Sequence, residues 1–207
     1  FVGEISSGVI TVTFNMIILN LAGNTGVAAY GVVANTSLVA VALFNGIAQG
    51  SQPLISRSYG RGEEQNVRSL LKMALTTALG LGVLLMIFIF FSAPAVTAVF
   101  NSEHDLQLAA YADSGLRLYF IGFLFAGINI VGTAALSAVE SVKYAFCASI
   151  SRGFVATIFF AFVLSACFKM TGIWLAFPAA EFATMFITLS GLLCFTKQKG
   201  GMYHAKD

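Results

Sequence analysis

The feature that most constrains this chain is the length of its apolar stretches. Six of them are long enough to cross the hydrocarbon core of a bilayer, which is about 30 Å thick and needs about 20 helical residues. They lie near residues 5–22, 27–50, 70–92, 114–138, 145–168 and 174–195. Of the 207 residues, 58% are apolar and only 10% are charged, which is outside the composition of soluble domains. The sequence therefore predicts an all-α integral membrane protein with six transmembrane helices.

The distribution of Lys and Arg predicts how these spans are oriented. One set of connections, together with the tail, carries eight of them: Arg57, Arg61, Arg68, Lys72, Lys143, Lys197, Lys199 and Lys206. The other set, at 23–26, 93–113 and 169–173, carries only Lys169. Because cytoplasmic connections are enriched in Lys and Arg, we expect both ends of the segment in the cytoplasm. No basic stripe with interleaved aromatics indicates a nucleic-acid partner.

Cysteines and histidines give no sign of a metal site or an enzyme. Cys147, Cys167 and Cys194 lack CxxC spacing and are predicted to be small core residues. His104 and His204 fall in a predicted outer loop and in the tail, and neither HExxH nor GxSxG is present. We therefore expect no enzymatic activity, no cofactor and no bound metal.

The end of the second span carries amides. Four of them, Asn35, Asn45, Gln49 and Gln52, are offset by 10, 14 and 17 positions, close to multiples of 3.6, so they share one helix face. An amide that faces lipid costs several kcal/mol, so this face should meet another helix or a wet cavity. A single amide more often bonds a neighbouring helix, but four together favour a cavity lining. Pro53 is expected to end or kink the helix, and the run RSYGRGEE to form a solvated turn.

Three other spans each show one polar stripe at helical spacing. The stripes are Glu4, Ser7, Thr11 and Asn15 in the first span, Asn129, Thr133 and Ser137 in the fourth, and Glu181, Thr184 and Thr188 in the sixth. Ser and Thr can bond their own helix backbone and need no cavity, so the carboxylates are the stronger signal.

Ionisable groups at bilayer depth are costly, so each needs a partner or a purpose. Asp113 and Arg117 are four residues apart and are expected to form a shallow ion pair. Glu4 and Arg152 are both placed in the inner half of the bilayer, Arg152 roughly 12 Å deep by the helical rise. A salt bridge between them is one possibility, and a Glu4 free to exchange a proton is the other. Glu181 is placed about two turns below the outer surface, where it either binds a cation or water or hydrogen-bonds a neighbouring helix.

Three runs of sequence, in order, resemble one transporter family. AYGVVANTSLVAVALFNGIAQGSQPLISRSYGRGEE, then SISRGF around Arg152, and GIWLAFPAAE at 172–181 resemble the second half of the multidrug and toxic compound extrusion (MATE) family of bacterial transporters. The resemblance implies a cation-coupled antiporter of two six-helix lobes that exports organic cations or drugs by alternating access across the plasma (cell inner) membrane. Residues 1–207 would be its C-terminal transmembrane lobe, with the N-terminal lobe absent. Six spans with both ends inside fit one lobe, because parallel repeats require an even number of crossings.

The resemblance also implies roles for individual residues. The family typically binds its coupling ion with an acidic residue on the first helix of this lobe, where Glu4 stands. Many members add an aspartate on the fourth helix, but FAGINIVGTAAL offers only Asn129, which leaves H⁺ or Na⁺ open as the coupling ion. The predicted ion-coupling residues are Glu4, Asn129 and Glu181, and the predicted cavity-lining residues are Ser7, Thr11, Asn15, Asn35, Asn45, Gln49, Gln52 and Arg152.

The expected partners are a small cationic substrate, the lipid bilayer and the missing N-terminal lobe. The alternative is a flippase or exporter of lipid-linked oligosaccharide with a related two-lobe architecture. Such a protein would be expected to show more cationic residues in its cavity than Arg152 alone.

Overall fold

The computed structural model describes the backbone of residues 2–203 and the side chains of residues 8–153 and 155–195. Within this part of the chain every regular element is helical. The helices are α1 (Val2–Gly60), α2 (Glu64–Phe100), α3 (Leu106–Tyr119), α4 (Phe123–Ala138), α5 (Val142–Ile150) and α6 (Ala156–Tyr203). A 3-10 turn, Phe120–Gly122, joins α3 to α4, and a π-helical turn, Ser151–Val155, joins α5 to α6. The prediction of an all-α fold is confirmed.

Two of the helices turn back on themselves. Gly23 in α1 has φ 64° and Lys169 in α6 has φ 51°, and both values lie outside the right-handed helical region. Phe14 and Tyr30 are sixteen positions apart and would be about 24 Å apart on a straight helix. Their ring centroids are only 5.4 Å apart, in a stacked arrangement. The chain therefore reverses at Gly23, and α1 is a hairpin of two packed arms.

The second arm of α6 packs back on the first in the same way. A Cβ atom at Gly172 would overlap the carbonyl oxygen of Leu164, so glycine permits the close approach of the two arms. Four helical stretches of the described chain are long and apolar enough to cross a membrane: Gly8–Gly60, Glu64–Phe100, Leu106–Ala138 and Val142–Phe195. The count of six spans stays a prediction, and the reversals within the first and last stretches are its structural support.

The helices run further than the predicted spans. The sequence predicted either an end or a kink at Pro53; α1 passes through Pro53 and ends at Gly60, so an end at Pro53 is wrong. Proline removes one N–H from the helical ladder, and the remaining hydrogen bonds carry the helix on. The predicted connections 57–72 and 93–113 shorten to residues 61–63 and 101–105. Hydropathy marks where lipid contact stops, whereas a helix can continue into water.

The core is built from both arms of α1 together with α2, α3, α4 and α6. Its largest fully buried side chains include Phe14, Ile18, Phe44, Phe120, Phe123 and Trp174. Glycines let these helices approach closely, as membrane helices commonly do. A Cβ at Gly82 of α2 would lie 2.9 Å from the carbonyl oxygen of Phe123 in α4. A second, smaller cluster includes Ile55, Val67, Leu71, Leu136 and Leu192.

The outer surface of the bundle is rich in large apolar side chains. Phe91 is 79% exposed and Leu106 is 86% exposed. Such a surface suits contact with lipid rather than water. Cys147, Cys167 and Cys194 are also exposed, so the prediction that they are core residues is wrong. A side chain that faces lipid can be apolar without being buried by other parts of the protein.

Candidate functional site

An ion pair inside the bundle links the π-helical turn to α6. The Nε atom of Arg152 donates a hydrogen bond of 2.6 Å to Oε1 of Glu181. The Glu181 side chain is 2% exposed, whereas that of Arg152 is 30% exposed. The carboxylate is therefore enclosed by protein, and the guanidinium lies between it and the surface. A buried carboxylate of this kind depends on its partner, because an uncompensated buried charge is strongly destabilising.

Asn129 of α4 supplies the second partner of the carboxylate. Its Nδ2 atom donates to Oε2 of Glu181 at 2.7 Å and to the backbone carbonyl of the same residue at 2.8 Å. Its Oδ1 atom accepts a hydrogen bond of 2.9 Å from the hydroxyl of Thr188. Ser151 and Thr184 share a further hydroxyl hydrogen bond of 3.1 Å. The network thus joins α4, the π-helical turn and α6 around one carboxylate, and each of its oxygens has a donor.

The π-helical turn Ser151–Val155 determines where Arg152 points. Such turns widen an α-helix locally and are frequent at functional sites. The hydroxyl of Thr157 donates to the carbonyl of Arg152 at 2.7 Å, which helps to hold the widened turn. One residue corresponds to about 100° of rotation in a regular helix, so a single extra residue re-aims every side chain around it. Hydrophobic periodicity carries no signal for such a turn.

The structure brings together two of the three predicted ion-coupling residues, Asn129 and Glu181. It pairs them with Arg152, which was predicted only as a cavity-lining residue. Arg152 was placed roughly 12 Å from the inner surface and Glu181 about two turns below the outer one by the helical rise, and the structure brings their side chains into contact. The second arm of α6 begins directly after Lys169 rather than at residue 174, which puts Glu181 about 18 Å from that turn by the helical rise.

The remaining predicted ion-coupling residue, Glu4, lies outside the residues whose side chains are described, as does Ser7. Arg152 is held by Glu181 in this structure. The predicted alternatives for Glu4, a bridge to Arg152 or a role of its own, therefore both stay predictions.

The amides of α1 lie on the surface of the chain. Asn35, Asn45 and Gln49 are exposed, as is Thr11, while Asn15 and Gln52 are half-buried. The side chain of Asn35 donates to the carbonyl of Gly31 at 2.8 Å, so this amide partly satisfies itself on its own helix. The other helices of the described chain therefore leave most of this polar face uncovered. That it lines a cavity stays a prediction.

Aromatic side chains pack beside the network. Tyr119 and Phe177 stack with their ring centroids 4.2 Å apart, and Phe123 packs against Phe177 at 5.2 Å. The ring of Phe177 fits because Gly122 has no side chain: a Cβ there would lie 2.6 Å from that ring. Phe177 lies one helical turn before Glu181 in α6, which places this aromatic cluster next to the network. No pattern in the sequence singles out these rings among 20 Phe and six Tyr.

The predicted pair of Asp113 and Arg117 is confirmed as a shallow contact. Its atoms are 3.2 Å apart, and both side chains are about one-third exposed. The guanidinium also lies over the ring of Phe90, 5.3 Å from its centroid. This pair lies apart from the network around Glu181.

Fold and surface together define a multi-pass helical membrane protein. The model of the MatE family matches residues 1–163, and the chain belongs to this family. Among curated proteins, none matches the sequence.

Solved transporter structures share the fold. The inward-facing conformation of a multidrug resistance MATE family transporter of the MOP superfamily matches with a TM-score of 0.89 at 17% identity, covering 96% of this chain and 46% of that one. The outward-facing conformation of a transporter with the same description matches with a TM-score of 0.87 at 16% identity, covering 96% and 45%. A MOP superfamily transporter from Pyrococcus furiosus matches with a TM-score of 0.80 at 16% identity, covering 95% and 43%. The chain thus spans less than half the length of the transporters it matches.

Proposed function

We propose that this chain is the C-terminal lobe of a cation-coupled antiporter that exports organic cations or drugs across the plasma membrane. H⁺ or Na⁺ is the coupling ion, and an N-terminal lobe completes the transport path. Membership of the MatE family over residues 1–163 carries the proposal. The chain's coverage of less than half of each similar transporter is in keeping with one lobe of two. Both ends of the segment lie in the cytoplasm in this proposal.

The exposed amides of α1 support a cavity between two lobes. A helix whose amides faced lipid would leave them unsatisfied, and the described helices of this chain do not cover them. A second lobe or a wet cavity would satisfy Asn45 and Gln49. Alternating access would then expose this face to each side of the membrane in turn.

The network around Glu181 supports a role for this residue in ion coupling. This role would add to the one that the family resemblance implies for Glu4. An ion gradient shifts a two-state equilibrium only when the ion binds the two states differently. Glu181 has Arg152 and Asn129 as partners in this structure, so an incoming ion competes with the guanidinium for the carboxylate. Two states of the site follow: one in which Arg152 holds Glu181, and one in which the ion does.

The flippase alternative has less support. An anionic lipid-linked substrate needs unpaired cations in the cavity, but Arg152, the cation predicted to line it, is held by Glu181. The similar transporter from Pyrococcus furiosus is described as having a binding pocket of reverse polarity and a different function. At 16% identity the likeness to that protein shows the fold alone.

Efflux by the full-length protein tests the proposal. In bacteria that lack their own efflux pumps, we expect ethidium efflux that depends on a proton or sodium gradient. The variant Gln49→Leu should lower efflux, because it removes an exposed amide of α1. The matched control is Gln65→Leu, an exposed amide at the start of α2 and outside the predicted spans, which should leave efflux unchanged. Efflux that ignores both gradients would contradict the proposal.

A further inference from the structure

A cleft of about 430 Å³ lies where α2 ends and α3 begins, away from the network around Glu181. It is lined by Pro94, Thr97, Ala98, Asn101, His104, Asp105, Leu106, Ala109, Ala110 and Asp113. Half of these residues have apolar side chains. Among the polar ones, Asn101 and Asp105 hydrogen-bond each other, whereas Thr97 and Asp113 each carry an atom without a partner.

Unpartnered polar atoms are concentrated at this cleft. Among the residues whose side chains are described, three buried side-chain atoms have no hydrogen-bond partner in the protein: Oγ1 of Thr97, Oδ1 of Asp113 and Nε of Arg117. Thr97 and Asp113 both line the cleft, and Arg117 lies one helical turn beyond Asp113 and is paired with it. Thr97 is only 2% exposed. Buried polar groups are nearly always hydrogen-bonded, so two exceptions on the lining of one cleft, with a third on the arginine paired to it, indicate a site for a polar ligand.

The chemistry of the three atoms defines the ligand class. The carboxylate oxygen of Asp113 accepts hydrogen bonds and favours a positive group, and the Thr97 hydroxyl can accept as well. The Nε atom of Arg117 donates and favours a negative oxygen. A ligand that satisfies all three carries an ammonium group and an anionic oxygen a few bonds apart. Phosphoethanolamine is a zwitterion of this kind.

The surroundings of the cleft favour a lipid as the source of this zwitterion. Val99 is 80% exposed, and Phe100 and Leu106 are also exposed, so apolar surface flanks the opening. The loop 101–105 is predicted to lie at the outer membrane surface, which is the depth of lipid headgroups. We propose that the cleft binds the headgroup of phosphatidylethanolamine, with the ammonium group on Asp113 and Thr97 and the phosphate on Arg117. The acyl chains lie along the flanking apolar side chains.

Native mass spectrometry of the full-length protein tests this site. The protein is released from mixed micelles that contain phosphatidylethanolamine and phosphatidylglycerol at equal concentration. We expect preferential retention of phosphatidylethanolamine, reduced about tenfold in Asp113→Asn and several-fold in Thr97→Val, since each loses a polar contact to the headgroup. Glu103→Gln is the matched control: it removes an exposed acid from the same loop that does not line the cleft, and retention should be unchanged.

Equal retention of the two lipids, or unchanged retention of phosphatidylethanolamine in Thr97→Val, would overturn the proposal. Because Thr97→Val preserves shape and leaves the Asp113–Arg117 pair intact, the test survives even if Asp113→Asn folds poorly. Soluble phosphoethanolamine should displace the lipid only weakly, since it lacks acyl chains; displacement at the affinity of the lipid would mean that the site takes a free zwitterion instead.

Discussion

Replacing Arg152 should destabilise the protein more than replacing its ion-pair partner Glu181. Arg152→Gln leaves the Glu181 carboxylate, which is 2% exposed, with Asn129 as its remaining partner. An uncompensated buried charge of this kind costs about 3–5 kcal/mol. Glu181→Gln leaves a guanidinium that is 30% exposed and can reach water, and the new amide oxygen can still accept from Asn129. We expect its cost to be about 1–2 kcal/mol.

The double variant distinguishes a true pair from two unrelated sites. When both residues are Gln, neither charge is left buried, so the loss should be smaller than the sum of the two single losses by about 2 kcal/mol. The measurement is the free energy of unfolding of the full-length protein in mixed micelles, titrated with a denaturing detergent. Arg117→Gln is the control, since both side chains of its pair are about one-third exposed and such a pair is worth about 0–1 kcal/mol. Equal losses of unfolding free energy for the two single variants, or strict additivity in the double variant, would show that Arg152 does not compensate a buried Glu181 charge.

Three further predictions concern topology, coupling and packing. Single cysteines at Ser69 and Ser102, in a background without the native cysteines, should react with an impermeant reagent from opposite sides of the membrane; labelling from one side would contradict the charge-based orientation. Glu4→Gln in the full-length protein should abolish gradient-driven efflux with nearly normal membrane insertion; poor insertion that is rescued by neutralising Arg152 would instead make Glu4 a structural partner. Gly172→Ala should lower the unfolding midpoint in a thermal scan, because its Cβ would overlap the carbonyl of Leu164; an unchanged midpoint would show that the two arms of α6 separate at little cost.

The all-α membrane fold could be predicted because lipid allows so few solutions. A long apolar stretch in a bilayer must be helical, so length and composition decide the class of fold. Helix ends were harder to predict from the sequence. α1 continues through Pro53 to Gly60 and α2 runs to Phe100, because a helix can extend past the point at which hydropathy falls. The reversal at Lys169 was placed near the right region only because a charge interrupts the apolar run.

The sequence singled out most residues of the network around Glu181 but not the contacts between them. Periodicity placed Glu181, Thr184 and Thr188 on one stripe and Asn129 on another, and the structure joins these stripes through hydrogen bonds. The partner of Arg152 could not be deduced, because a π-helical turn re-aims that side chain. Contacts between residues far apart in sequence depend on how helices pack, which the spacing of residues along one helix does not report.

The most direct test of the central claim is substrate movement against an imposed ion gradient in proteoliposomes that contain only the full-length protein. Ethidium is added outside the proteoliposomes, and a proton or a sodium gradient is applied across the membrane in separate experiments. Empty liposomes are the control. We expect ethidium accumulation driven by one of these gradients and dissipation of that gradient on adding ethidium. Ethidium movement only down its own gradient, with neither ion moving in response, would contradict a coupled antiporter.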